Sequence, residues 1–89
     1  MLSAAKRKEL KARAHQLEPV VMIGTKGLTD EVLKEVDVAL KAHELIKVRA
    51  AALEREARDD ALRALCERTG AESVQSVGKV FVIYRKRDE

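Results

Sequence analysis

The sequence predicts an α/β (α+β) two-layer sandwich with the element order α-β-α-β-α-β-β and a four-stranded mixed sheet. Three observations lead there. Three stretches carry apolar residues at helical spacing, around 3–14, 30–43 and 55–69. Between them lie short runs rich in β-branched residues, at 19–23 and 45–52. The chain then closes on two such segments, 73–77 and 79–85, parted by the single residue Gly78, which predicts a hairpin. Right-handed crossovers make the first three strands parallel, and the hairpin adds one antiparallel strand. If both crossovers progress in the same direction, their helices share one face of the sheet.

The first helix has Ser3 as a cap, with Leu10, Ala14 and Leu17 on one stripe. Arg7, Lys8 and Lys11 share a different face, because offsets of three and four bring side chains together, and they make a basic ridge. Pro19 suits the first position of a strand, where its missing N–H is harmless. Val20 to Ile23 form an unbroken apolar run, as expected for a strand covered on both faces or inside a parallel pair.

The stretch Pro19 to Asp30 organises the rest. Its strand runs into Gly24-Thr25-Lys26-Gly27, and a helix follows with Thr29 as cap, its hydroxyl placed to accept from the amide of Glu31 or Val32. The glycines accept positive φ and carry no Cβ, so a ligand backbone can approach closely. Asp30 and Glu31 occupy the first helical turn and repel a phosphate seated squarely on the cap. An anion is therefore expected on the loop amides and on Lys26. A tight strand-to-helix turn with no ligand is the plain alternative reading of a bare GxxG.

In the second helix Val32, Leu33, Val36, Ala39 and Leu40 form the core stripe, while Lys34 and Lys41 lie seven apart on another side. In the next strand Ile46 and Val48 alternate with Lys47 and Arg49, which places the two basic residues on the opposite face. The third helix buries Ala61, Leu62, Leu65 and Cys66 and stops at Gly70. Arg85, Lys86 and Arg87 make a basic tail, offset in part by Asp88 and Glu89.

The 89 residues fit a single domain, 46% hydrophobic and 37% charged. No apolar run is long enough to span a bilayer, and the N-terminus lacks the apolar stretch of a signal peptide. The lone Cys66 suits a reducing cytoplasm. Net charge is only +3, but residues 1–13 alone carry +4 while 54–69 carry −1. That asymmetry points to a polyanionic partner.

Catalysis has little to build on. His15 and His43 stand far apart, and CxxC, HExxH, GxSxG and Walker patterns are absent, so no enzyme, metal or cofactor is expected. The two aromatics, Phe81 and Tyr84, fall on opposite faces of a strand. A platform that stacks successive bases needs several on one face, so contact should be mainly to nucleic-acid backbone, with structured RNA or a duplex edge favoured.

The residues resemble a known family. The run Ala14 to Arg49 looks like the CRM domain, named for chloroplast RNA splicing and ribosome maturation, and the whole chain is similar to its stand-alone bacterial, YhbY-type members. The matching pieces are Ala14-His15, Leu17, Pro19-Val20-Val21, Gly24-x-x-Gly27-Leu28-Thr29, His43-Glu44-Leu45-Ile46-Lys47-Val48, Thr69-Gly70 and Gly78-Lys79. The resemblance implies a fold similar to the C-terminal domain of translation initiation factor 3, with strand order 1-2-4-3 and the fourth strand antiparallel to the others.

It also implies RNA binding, with association to precursor rRNA of the large ribosomal subunit. The family's glycine loop maps onto Gly24, Thr25, Lys26 and Gly27 and is similar in action to the loop with which KH domains clamp RNA backbone. Here it joins a strand to a helix rather than two helices, so only the local physics carries over. The family's basic surface corresponds to Arg7, Lys8 and Lys11 beside the loop, with Lys34, Lys41, Lys47 and Arg49 as further candidates. The longer basic tail of some relatives is nearly absent, which implies lower affinity. A cytoplasmic monomer without membrane contact is expected. Two other readings stay open: an Alba-like protein coating DNA or RNA, and a protein-interaction adaptor using the Val36–Leu40 helix or the edge of the first strand.

Overall fold

A computed structural model describes residues 2–87 of the chain. Its elements are α1 (Ala4–Ala14), β1 (Pro19–Met22), α2 (Asp30–His43), β2 (Leu45–Arg49), α3 (Arg55–Thr69), β3 (Glu72–Val77) and β4 (Val80–Tyr84). The strands form one sheet in the order β1-β2-β4-β3. β1 and β2 are parallel, and β4 runs antiparallel to both β2 and β3. This is the mixed sheet, and the strand order, that the family resemblance implies. Asp88 and Glu89, expected to offset the basic tail, lie outside the described residues.

Local chemistry sets most boundaries. The Ser3 hydroxyl accepts from the Lys6 amide at 3.0 Å, opening α1. The Thr29 hydroxyl accepts from the Val32 amide at 3.2 Å, opening α2. α3 ends at Gly70, whose φ of +75° is the left-handed stop that glycine adopts without strain. α2 ends differently, on Glu44 with φ +61°, a strained angle for a residue with a side chain. The Glu44 carboxylate is held there by the Arg87 amide, 2.8 Å away, and its carbonyl accepts from the Arg85 amide at 2.9 Å.

Side-chain alternation divides the core in two. Ile46 and Val48 of β2, with Phe81 and Ile83 of β4, face Val36 and Leu40 of α2 and Leu65 of α3. Leu45, Val82 and Val74 face the other way, against Leu10 and Ala14 of α1. The two crossover helices thus share one face and make the expected sandwich, while α1 covers part of the opposite face. Val36 and Leu40 are fully buried, while Val38 between them is 60% exposed on the outer side of α2.

Two expectations need correction. Leu17 does not continue the α1 stripe: it lies beyond the helix and is exposed. β1 pairs in parallel with β2, as one of the two readings of its apolar run had it, but it is a sheet edge and is not covered on both faces. Val21 and Ile23 are buried toward α2, while Met22, paired with Arg49, points to the α1 side and is 67% exposed; Val20, at the irregularity between Pro19 and Val21, is 53% exposed at the sheet edge. The apolar run resembles a buried strand because its outward residues are aliphatic as well. Among the described residues no helix is long and apolar enough to cross a membrane.

Candidate nucleic-acid interface

The loop after β1 is a single tight turn. The Gly27 amide donates to the Gly24 carbonyl at 3.0 Å, and the Thr29 amide donates to the Gly27 carbonyl at 3.1 Å. These bonds place Thr25 and Lys26 at the exposed tip. Among the described residues, none accepts a hydrogen bond from the amides of Thr25 or Lys26, and no acid pairs with the Lys26 ammonium. Two outward N–H groups beside a mobile cation can hold a phosphate oxygen. Asp30 at the start of α2 leans toward Arg68, 4.0 Å away, which partly offsets its repulsion of an anion.

The two glycines differ in kind. Gly27 has φ +72°, so the turn itself requires it. Gly24 lies outside the left-handed region, and a Cβ built on it would meet nothing within 4 Å. Neither its φ nor its packing calls for glycine at that position.

α1 separates its charges. On one flank Glu9 pairs with Lys6 at 3.6 Å and Arg13 at 3.9 Å, and the Lys6 ammonium lies 5.6 Å above the Tyr84 ring. Arg7 turns inward and donates to the carbonyls of Ser73 and Val74, the second at 3.1 Å, so it braces α1 against β3. Arg7 therefore leaves the expected ridge. Lys8 and Lys11 remain exposed on the other flank, with no ion pair among the described residues.

That flank overlooks the uncovered part of the sheet. Lys11 and His15 line a shallow groove with Pro19, Lys47, Gln75, Val77 and Val80, and no described acid lines it. Lys47 and Arg49 project on the α1 side, opposite Ile46 and Val48, as their alternation predicts. The Ile23 amide donates to the Arg49 carbonyl at 2.8 Å, and the Ala50 amide to the Lys79 carbonyl at 2.7 Å. The glycine loop, the end of β2 and the Gly78–Lys79 turn consequently lie at one end of the sheet.

The remaining cations lie elsewhere. Lys34 and Lys41 sit on α2, across the sheet from α1, and Lys41 is held by Asp37 at 3.2 Å. Arg85 is no free tail: its guanidinium donates to Asp37 at 2.8 Å and to the Thr69 carbonyl at 2.7 Å, tying β4 to α2 and α3. These guanidinium contacts, then Lys41, hold the Asp37 carboxyl below the usual range. The Arg87 amide does the same for Glu44.

Sequence reasoning missed the neighbours of the loop that carry little charge, Met22, Val77 and Val80. For Met22 the available signal was its place next to Val21 in an alternating strand, which puts it on the face that Val21 leaves open. Among the described residues, no group of three or more His, Cys, Asp or Glu could hold a metal ion. Cys66 is half-buried against the larger core, and desolvation, with Glu72 nearby, pushes its thiol up.

A strand-to-helix glycine turn and a basic groove that no described acid lines stand together on the sheet order of the CRM class of domain. The chain belongs to the CRS1/YhbY (CRM) domain family, which it matches over residues 2–85. It is 44% identical over 88 residues to an RNA-binding protein of Haemophilus influenzae, covering 99% of this chain and 89% of the relative. A protein of Bacillus subtilis named as a probable RNA-binding protein, YqeI, is 33% identical over 100% of this chain and 93% of its own. A solution structure from Staphylococcus aureus, of a protein described as a candidate RNA binder, superposes with a TM-score of 0.87. It is 32% identical and spans 100% of this chain and 93% of that one.

Proposed function

We propose that residues 1–89 act as one non-catalytic RNA-binding domain, a cytoplasmic monomer that serves in assembly of the large ribosomal subunit. Gly24, Thr25, Lys26 and Gly27 grip a phosphate. Lys8, Lys11, Lys47 and Arg49 receive the phosphates that follow, while Lys34 and Lys41 stand outside this path and Arg7 contributes by holding α1 in place. The observation that carries the reading is Gly24: neither its φ nor its surroundings call for glycine, yet it stands beside two outward amides and an unpaired lysine. The names of the relatives support RNA as the partner. The ribosomal role rests on the family alone.

In cells, the test is crosslinking of the protein to RNA followed by sequencing, with gradient fractionation. The reading expects crosslinks concentrated in large-subunit precursor rRNA and protein sedimenting with immature large subunits. Crosslinks scattered over mRNA, or spread evenly over duplex DNA as an Alba-like coat would give, would overturn it.

A further inference from the structure

The open half of the sheet has a composition that phosphate binding does not explain. Strand registers place Met22 beside Arg49, Arg49 beside Val80, and Val80 beside Val77, all on the α1 face. Met22 and Val77 are 67% and 56% exposed. At the usual spacing of neighbouring strands this row is a flat floor about 14 Å across. Lys11 and Lys47 line a groove with Val77 and Val80 that no described acid lines, and Lys26 and Lys79 are exposed in the turns at the loop end. Met22 precedes Gly24 by two residues, so the floor begins about 7 Å from the turn.

We propose that this floor seats the unpaired bases of a single-stranded RNA segment whose phosphate is held by the glycine loop. The proposal rests on the RNA-binding reading above and adds the strandedness of the ligand. A base is a flat, apolar face carried on an anionic backbone, which is the complement of an aliphatic floor with a cationic rim. The Arg49 guanidinium can lie flat against a base plane while its edge N–H groups keep a phosphate, and the Met22 thioether makes favourable contact with aromatic faces. A duplex hides its base faces in the stack and offers this floor nothing. Stacking on aliphatic groups is indifferent to base identity, so the segment is selected for being unpaired rather than for its sequence.

The experiment compares three probes by fluorescence anisotropy: a uridine 12-mer, an abasic 12-mer with the same phosphates, and a 12-base-pair RNA duplex. The proteins are wild type, Lys26→Glu and the double variant Met22→Ser/Val77→Ser. Both serines replace exposed side chains, and circular dichroism confirms folding. Wild type is expected to bind the uridine strand about tenfold more tightly than the abasic one, the worth of burying about 55 Å² of apolar surface. The double variant should bring that ratio to about one while keeping the salt dependence, whereas Lys26→Glu should weaken uridine and abasic strands alike.

Equal binding of uridine and abasic strands by wild type, or a ratio that survives the double variant, would overturn the floor and leave the phosphate clamp standing. Salt-independent, Lys26-insensitive binding of every probe would instead bring down the RNA reading itself. A wild type that sediments as a dimer and a double variant that sediments as a monomer would assign the floor to a second copy of the chain, also against the proposal.

Discussion

Replacing Gly24 and Gly27 by alanine, one at a time, separates a ligand-holding loop from a merely tight turn. At Gly24 the new methyl enters open space, with nothing within 4 Å and φ outside the left-handed region. The unfolded chain loses freedom and the folded one is unstrained, so Gly24→Ala should raise stability by about 0.4–1 kcal/mol. For a domain of this size that is a melting temperature higher by about 2–8 °C. At Gly27 the φ of +72° puts a Cβ against the following carbonyl. Gly27→Ala should cost about 1–2 kcal/mol. Thermal unfolding followed by circular dichroism reads both, and anisotropy with an RNA probe reads binding. If the RNA backbone approaches Gly24 closely, its alanine variant loses affinity by about tenfold or more, the worth of one charge-assisted hydrogen bond. A more stable protein would then bind worse. A Gly24→Ala variant that binds as wild type would refute the reasoning, and so would one that melts lower.

The basic residues of α1 should part company in the same way. Arg7→Ala strips two β3 carbonyls of their donor and should cost about 1–3 kcal/mol of stability, whereas Lys11→Ala should leave the melt unchanged and weaken RNA binding. Asp37 and Glu44 titrate below the usual carboxylate range when folded, so the unfolded chain binds more protons in acid. Stability should therefore be full at neutral pH and fall as pH drops below about 4, with Asp37→Asn flattening that limb in a pH series of melts. Cys66, half-buried with its thiol pushed up, should react with iodoacetamide at neutral pH far more slowly than free cysteine, and at the free rate once unfolded in urea.

What the sequence made legible was local. Ser3, Thr29 and Gly70 set helix ends through bonds to residues three or four away, and the alternation of Ile46-Lys47-Val48-Arg49 needs only the pleat. The strand order was another matter, since β4 lies between β2 and β3 through contacts that no local pattern encodes. Glu44 ends α2 at positive φ because the backbone of Arg87 meets it there from the far end of the chain. For the site, the loop was legible and its surroundings only partly so. Spacing grouped Arg7 with Lys8 and Lys11 but could not say which of them would turn to β3. The tail read as a basic stretch offset in part by its own acids, yet Arg85 serves as a clamp between two helices. The run Val20–Ile23 read as covered on both faces or parallel-paired; it is paired in parallel with β2, yet Val20 and Met22 are exposed, because an edge strand can have the same aliphatic composition as a buried one.

The most direct test is a salt series of binding to large-subunit rRNA fragments by wild type and Lys26→Glu. With four to six phosphate contacts, the logarithm of the wild-type binding constant should fall against the logarithm of salt with a slope of about −3 to −5. Lys26→Glu should bind more weakly at every salt concentration, with a slope shallower by about one. Equal affinities and parallel slopes for the two proteins would reduce the GTKG loop to a structural turn.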